Sequence, residues 1–290
     1  MKDQLVELTS AYQEISTGYQ SVTVKYKDEQ KTRKRVLNEL EDIKGKVRVY
    51  ARIRPFTKKE ATDALKNKMC VTIHDEFSLT VSGKAGREKS FNFDSVFGPD
   101  STQDQVFEDT RRLIQSAIDG YNVCIFAYGQ TGSGKTFTVQ GTEEKPGITP
   151  RSIVELFGIL SRMNDYEIKL SCTMVELYLN QLNDLLLPKG AEPVPLDIKE
   201  TPSGMIEIVG VTEREIMSVS ETDKIFDMGM NRRKTRATAM NDTSSRSHLI
   251  FAIKIDVYNV NTKQKTLGKI SFVDLAGSEK SAKTGTTKEG

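Results

Sequence analysis

The chemistry of this chain is concentrated in one run, Gly129-Gln130-Thr131-Gly132-Ser133-Gly134-Lys135-Thr136. Its spacing is that of a phosphate loop, G-x-x-x-x-G-K-[ST]. Glycines let the backbone curl until successive N–H groups face an anion. A helix starting at the end of the loop adds its positive pole. Lys135 is placed to reach the β- and γ-phosphates of a nucleotide, and the Thr136 hydroxyl to reach Mg²⁺. The apolar "NVCIFAY" before the loop reads as a strand, and "TFTV" after it as the first turn of a helix. That is the context the motif requires.

Two further groups could serve the same chemistry. Asp274-Leu275-Ala276-Gly277-Ser278-Glu279 follows the apolar strand "KISFV". An apolar strand ending in Asp is where a nucleotide-binding protein holds a Mg²⁺-coordinating carboxylate, and the glycine suits an N–H beside a γ-phosphate. By itself D-x-x-G also describes an ordinary strand-end turn. The string "NDTSSRSH", Asn241 to His248, crowds hydroxyls, an Arg and a His between a helix and a strand. Ser and Thr can ligate Mg²⁺ or orient a water, and Arg can pair with a carboxylate. A Ser-rich loop capping a strand, with His248 as a structural histidine, fits the same string.

These residues need a scaffold. Strands are expected over 70–74, 77–82, 122–127, 168–178, 205–209, 248–258 and 267–273, and helices over 103–118, 150–162 and 219–234. "KVRVYARIRP" alternates Val47, Val49, Ala51 and Ile53 against polar neighbours, a strand ended by Pro55. Segments 83–89, 141–147 and 188–195 read as loops. Interleaved strands and helices imply an α/β sandwich. Basic Arg232, Arg233, Lys234 and Arg236 close the last predicted helix, where they neutralise its C-terminus.

Residues 1–45 are different. Apolar and aromatic side chains recur in steps of four and three: Met1, Leu5, Leu8, Tyr12, Ile15, Tyr19, Val22 and Tyr26. The register passes through Glu29 and Arg33 and resumes at Val36, Leu40 and Ile43. This heptad stripe implies a coiled-coil seam and a homodimer. The alternative is one amphipathic helix packed on its own domain. Lys31, Arg33, Lys34 and Arg35 read as a solvated basic face, or as a contact for an acidic partner.

Bulk properties exclude several classes. Of 290 residues, 37% are hydrophobic and 28% charged, the balance of a globular chain, and the net charge of +2 gives no global case for nucleic acid or membrane binding. No run approaches a membrane span or a signal-peptide core. Cys70, Cys124 and Cys172 lie far apart, without metal or disulfide spacing, which fits a reducing compartment.

Taken together, "GQTGSGKT", "NDTSSRSH" and "DLAGSE", in that order, resemble the phosphate loop, first switch and second switch of kinesin motor domains. "ARIRP" (51–55), "GITPR" (147–151) and "VELYLNQLNDLL" (175–186) are also similar to that family. The resemblance implies a neck helix over 1–45 and a motor domain over 46–290. The fold would be that of a P-loop NTPase, a mostly parallel or mixed sheet with helices on both faces, incomplete here. "RKRVLNELEDIKGKVRVYARIRP" resembles the neck-to-motor junction of the kinesin-14 group, whose motor is C-terminal and minus-end-directed. "MVELYLNQLNDLLLPK" and "LDIKE" are similar to its calmodulin-binding branch.

The resemblance also implies roles. Gly129, Gln130, Thr131, Gly132, Ser133, Gly134, Lys135 and Thr136 would hold the ATP phosphates. Arg52, Arg54 and Pro55 would line the adenine, with Phe137 stacking on it. Thr136 and Ser245 would ligate Mg²⁺, with Asp274 holding it through water. Ser244, Ser245 and the Gly277 amide would position the attacking water and the γ-phosphate, and Arg246 would pair with Glu279 across the switches. The partners implied are microtubules, with 174–200 on the tubulin-facing side, and the localisation is cytoplasmic, on the cytoskeleton or spindle. The family continues past its second switch into helices and a strand that carry most microtubule contact. These 290 residues are therefore expected to be a fragment with little microtubule-stimulated turnover of their own. Two other classes are a non-motile dimerisation module with a nucleotide-binding head, and a GTPase. No N-K-x-D guanine motif is present.

Overall fold

A computed structural model of the chain describes residues 2–44, 47–62, 69–83, 86–188, 190–201, 206–239 and 246–279. It falls into two units, Met1–Ala51 with Lys68–Val96, and Arg52–Asn67 with Phe97–Gly290. The chain opens with helix α1 (Lys2–Lys44). Gly18 is its one glycine and it contains no proline, so nothing breaks it. The Thr17 and Thr23 hydroxyls donate back to the Gln13 and Tyr19 carbonyls at 2.8 and 2.7 Å. Along the stripe, Leu8, Tyr12, Ile15, Tyr19, Val22, Tyr26 and Val36 are 52–74% exposed.

Strand β1 (Tyr50–Arg52) is shorter than its alternation predicts, because Val47 and Val49 stay exposed. Helix α2 (Lys58–Ala61) is one turn, closed by a capping box between Thr57 and Glu60. Strands β2 (Val71–Ile73), β3 (Ser78–Ser82) and β4 (Glu88–Asn92) form an antiparallel sheet. The last of these corrects the expected loop at 83–89, since Glu88 and Lys89 pair with Ser82 and Val81. β4 is exposed along its length, so its sequence lacks the apolar alternation of a half-buried strand. Strand β5 (Ser95–Phe97) pairs with β1.

The nucleotide motifs all belong to the second unit. Helix α3 (Gln103–Ile118) starts at Thr102, whose hydroxyl accepts from the Gln105 amide while the Gln105 side chain accepts from the Thr102 amide. It buries Val106, Phe107, Ile114, Ala117 and Ile118 at helical spacing. There follow β6 (Asn122–Ala127), α4 (Lys135–Val139), α5 (Ile148–Leu160), β7 (Tyr166–Tyr178) and β8 (Gln181–Asp184). The chain continues through β9 (Asp197–Glu200), β10 (Ile206–Val209), β11 (Arg214–Glu215), α6 (Val219–Ala239), β12 (His248–Asn259) and β13 (Lys265–Asp274).

The main sheet runs β11-β7-β12-β13-β6, with β8 on β7. It is mixed, one of the two arrangements expected for it. Among the described strands of this sheet only β13 and β6 pair in parallel. Tight reversals explain this. β7 turns into β8 through Leu179 and Asn180, both at positive φ, and β12 turns into β13 through Lys263 at φ 60°. Such hairpins can join only antiparallel neighbours.

One face of the sheet buries Leu170, Cys172, Met174, Phe251, Ile253, Ile255, Ile270 and Phe272. Phe226 from α6 meets Phe251 edge-on at 5.1 Å. On the other face of β6, Phe126 is 60% exposed, so the expected helices on both faces are not completed among the described residues. The β9–β10 hairpin reaches part of that face: Lys269 donates to the Ile206 carbonyl at 3.0 Å, and Lys254 pairs with Glu207 at 3.2 Å. No described helix is long and apolar enough to cross a membrane.

Candidate nucleotide site

The site forms where β6 and β13 end side by side. Their parallel register sets Asp274 opposite Ala127, so the carboxylate stands where the phosphate loop leaves the sheet. Gly129, Gly132 and Gly134 take φ of 154°, 79° and 98°, a conformation that side-chain-bearing residues rarely adopt. Lys135 folds back over the loop, its Nζ donating to the Gly129 and Gln130 carbonyls at 2.9 and 3.1 Å. Gln130, Thr131 and Gly132 face solvent. The loop ends at α4, where Gly134 provides no side-chain cap and leaves the first amides unblocked.

Beneath the loop, the Thr136 hydroxyl donates to Asp274 Oδ2 at 2.7 Å, and the Gln140 amide approaches the same oxygen at 3.4 Å. Asp274 is 3% exposed, and its Oδ1 is buried without a hydrogen-bond partner among the described residues. A buried, half-satisfied carboxylate beside a hydroxyl is a set of hard oxygen donors. It fits a divalent cation such as Mg²⁺.

The second-switch string lies against the loop. Ser278 N–H donates to the Gly129 carbonyl at 3.1 Å. The Glu279 carboxylate accepts from the Thr131 amide at 2.9 Å and from the Thr131 hydroxyl. The hydroxyl bond first, then the Thr131 and Glu279 amides, hold this carboxyl down to about 2. A Cβ on Gly277 would meet both the Thr131 hydroxyl and the Glu279 carboxylate, so a side chain there would have to displace the contact between them. Ala276 N–H donates to His248 Nδ1 at 3.1 Å, which gives His248 the structural part weighed for it.

The structure therefore joins Glu279 to Thr131, and no Arg246–Glu279 ion pair occurs among the described residues; Arg246 is exposed. Ser244 and Ser245 lie outside the described residues.

On the side assigned to adenine, Arg52 is half-buried. Its Nη1 donates to Gln103 Oε1 at 2.8 Å and to Thr138 Oγ1 at 3.0 Å, and its guanidinium lies 5.2 Å from the centre of the Phe137 ring. Arg54 instead grips Glu60 through two 2.7 Å bonds, and Pro55 is exposed.

Two groups of site residues were not singled out from sequence. Gln103, buried at the start of α3, also donates to the Phe137 carbonyl at 2.7 Å. In the basic run of α6, Arg236 stands in the helix's last turn, while Arg232 and Arg233 reach other segments. Arg232 donates to the Leu185 carbonyl at 3.1 Å, Arg236 to Asn183 at 2.8 Å, and Arg233 is buried against Glu176. In the sequence these read as charges at a helix C-terminus, because nothing local marks a cation whose partner lies on another element.

Comparison with known proteins agrees with this geometry. The sequence profile of the kinesin motor domain matches residues 52–290. Over 262 residues, 90% of this chain, it is 48% identical to "Kinesin-like protein KIN-14E" of Arabidopsis thaliana and 49% to "Kinesin-like protein KIN-14I" of Oryza sativa subsp. japonica. The chain spans 21% of the length of each of these two relatives. It also superposes on a solved structure, the "C-terminal motor and motor homology domain of Kar3Vik1 fused to a synthetic heterodimeric coiled coil". That match has a TM-score of 0.83 and 30% identity, over 96% of this chain and 73% of the other.

Proposed function

For this chain, which belongs to the kinesin motor-domain family and its kinesin-14 group, we propose the nucleotide-hydrolysing part of a minus-end-directed microtubule motor. Kinesin motor domains bind ATP and form a family of microtubule-stimulated ATPases. The observation that carries the reading is the Thr136–Asp274 bond under the phosphate loop, with Oδ1 of Asp274 left without a partner among the described residues. Lys135 and the Gly129–Gly134 amides hold the phosphates, while Arg52, Arg54, Pro55 and Phe137 frame the adenine. Bound at Thr136, Ser245 and Asp274, Mg²⁺ would neutralise phosphate charge. Ser244, Ser245 and Gly277 orient the water, and Arg246 and Glu279 close the switches once the Glu279–Thr131 contact opens. The work is positioning and electrostatics. Microtubules are the partner and the cytoskeleton is the location. Identity of 48–49% to two plant members, against 34–37% to six others, supports a place beside those two. The resemblance of 174–189 and 196–200 to a calmodulin-binding branch is part of the same reading.

Gliding assays with polarity-marked microtubules and full-length protein test this. Minus-end-directed, ATP-dependent gliding is expected. Lys135→Ala should abolish it together with ATP turnover. Plus-end-directed gliding would overturn the direction. Nucleotide binding without gliding would favour a non-motile module.

A further inference from the structure

Behind Asp274 stands a buried ion pair to which the reading above gives no part. The side chains of Glu176 in β7 and Arg233 in α6 are 4% and 7% exposed. Arg233 Nε lies 3.3 Å from Glu176 Oε1, and its Nη2 donates to the carbonyl and the hydroxyl of Ser247, each at 3.2 Å. Ser247, fully buried at the end of the first-switch string, donates its hydroxyl to Glu176 Oε1 at 2.7 Å. Arg233 Nη1 is 4.0 Å from Asp274 Oδ2, the same oxygen that accepts from Thr136. At the rim, Arg236 Nε stands 3.9 Å from Glu176 Oε2.

Burying an ion pair is costly, and an apolar pair of similar volume often serves stability as well or better. Its charges matter here because of where they are. Arg233 faces two carboxylates, Glu176 and Asp274. A divalent cation held at Asp274 would be repelled by Arg233, and Glu176 offsets that repulsion. We propose that Glu176 and Arg233 are positioning residues for Asp274, a charge-balanced clamp that sets the affinity of the site for its divalent cation. The inference rests on the nucleotide-site reading above and extends it to residues with no phosphate contact. Through Ser247 the clamp also fixes the start of β12.

The test uses full-length protein and retention of a fluorescent ADP analogue across a buffered Mg²⁺ series, with the thermal midpoint of each variant measured alongside. Glu176→Gln keeps the shape and the acceptor for Ser247 but removes the charge that offsets Arg233. The Mg²⁺ midpoint is expected to rise roughly five- to tenfold, the order expected for a unit charge several ångströms from a divalent ion at intermediate dielectric. Glu176→Gln combined with Arg233→Met removes both charges and should bring the midpoint back toward that of the unaltered protein. Arg236→Gln alters only a half-exposed side chain, so the core stays intact. It frees Glu176 to oppose Arg233 more fully and should lower the midpoint, by about twofold for a partly solvated pair.

Lowered thermal stability with an unmoved Mg²⁺ midpoint in Glu176→Gln would overturn the inference and leave the pair purely structural. So would a double variant whose midpoint stays as high as that of the single one, or a raised midpoint in Arg236→Gln. If the unaltered protein showed no Mg²⁺-dependent nucleotide retention, the nucleotide reading itself would fail and this inference with it.

Discussion

Glu279 shows how a single residue can be legible in type yet not in partner. The string "DLAGSE" marks it as a switch carboxylate, and the resemblance gives it Arg246 as partner. In the structure it is bonded to Thr131 of the phosphate loop. Both pairings use the same carboxylate, so Thr131 and Arg246 compete for it. Its depressed pKa gives this a test. A carboxyl held down to about 2 stabilises the contact at any pH above its ordinary value. That contribution is lost only as pH falls through about 2. A carbon-13 NMR titration of the Glu279 carboxyl should therefore show a midpoint near 2. Thr131→Val removes the strongest bond and should move the midpoint up toward about 4.3, the ordinary value for Glu. An unshifted midpoint in that variant would mean Thr131 is not the partner in solution. Gly129 to Thr136, by contrast, could be read directly, because their function depends on backbone conformation and neighbours within one turn. Arg233 could not, since its partner Glu176 is 57 positions away and only the packing of α6 on β7 brings them together.

At the scale of elements, α3 has the limits expected for it, 103–118, and the structure shows local reasons: a capping box at Thr102 and apolar residues at helical spacing. Strands β4, β9 and β11 were missed because they are exposed or very short, and their residues alternate no apolar face. What α3 does for the site lies beyond local signals. Its first residue, Gln103, accepts from Arg52 and donates to the Phe137 carbonyl, tying α3 to α4 and to the last residue of β1. Replacing Gln103 by Leu leaves the half-buried Arg52 without one acceptor and the Phe137 carbonyl without its donor. The expected loss is about 2 kcal/mol of unfolding free energy, the usual cost of orphaning buried polar groups. Chemical denaturation measures it. Nucleotide affinity should fall as well, since Phe137 and Arg52 lose a common anchor. A loss of stability with unchanged affinity would separate Gln103 from the site.

For the whole molecule the open question is what α1 is for. A helix of 43 residues is about 64 Å long at 1.5 Å per residue. Its apolar stripe is exposed at every described position from Leu8 to Tyr26. Such a stripe at heptad spacing finds its burial in a second helix. A second copy of the chain meets that need at no cost in specificity, because the same register of Leu8, Tyr12, Ile15, Tyr19, Val22 and Tyr26 faces itself across a two-fold axis. The seam is a weak one: tyrosines occupy three of these positions, and Ser16, Thr17 and Thr23 lie among them. Dimerisation should therefore depend on concentration, and sedimentation equilibrium should show a monomer–dimer exchange for this chain. Replacing Ile15 and Val22 together by Asp puts like charges opposite one another in the seam and should leave monomer only. The nucleotide affinity of that variant should be unchanged, because every residue of the candidate site belongs to the other unit. A monomer at all concentrations in the unaltered chain would deny α1 this role, and an intact dimer in the Asp variant would place the seam elsewhere.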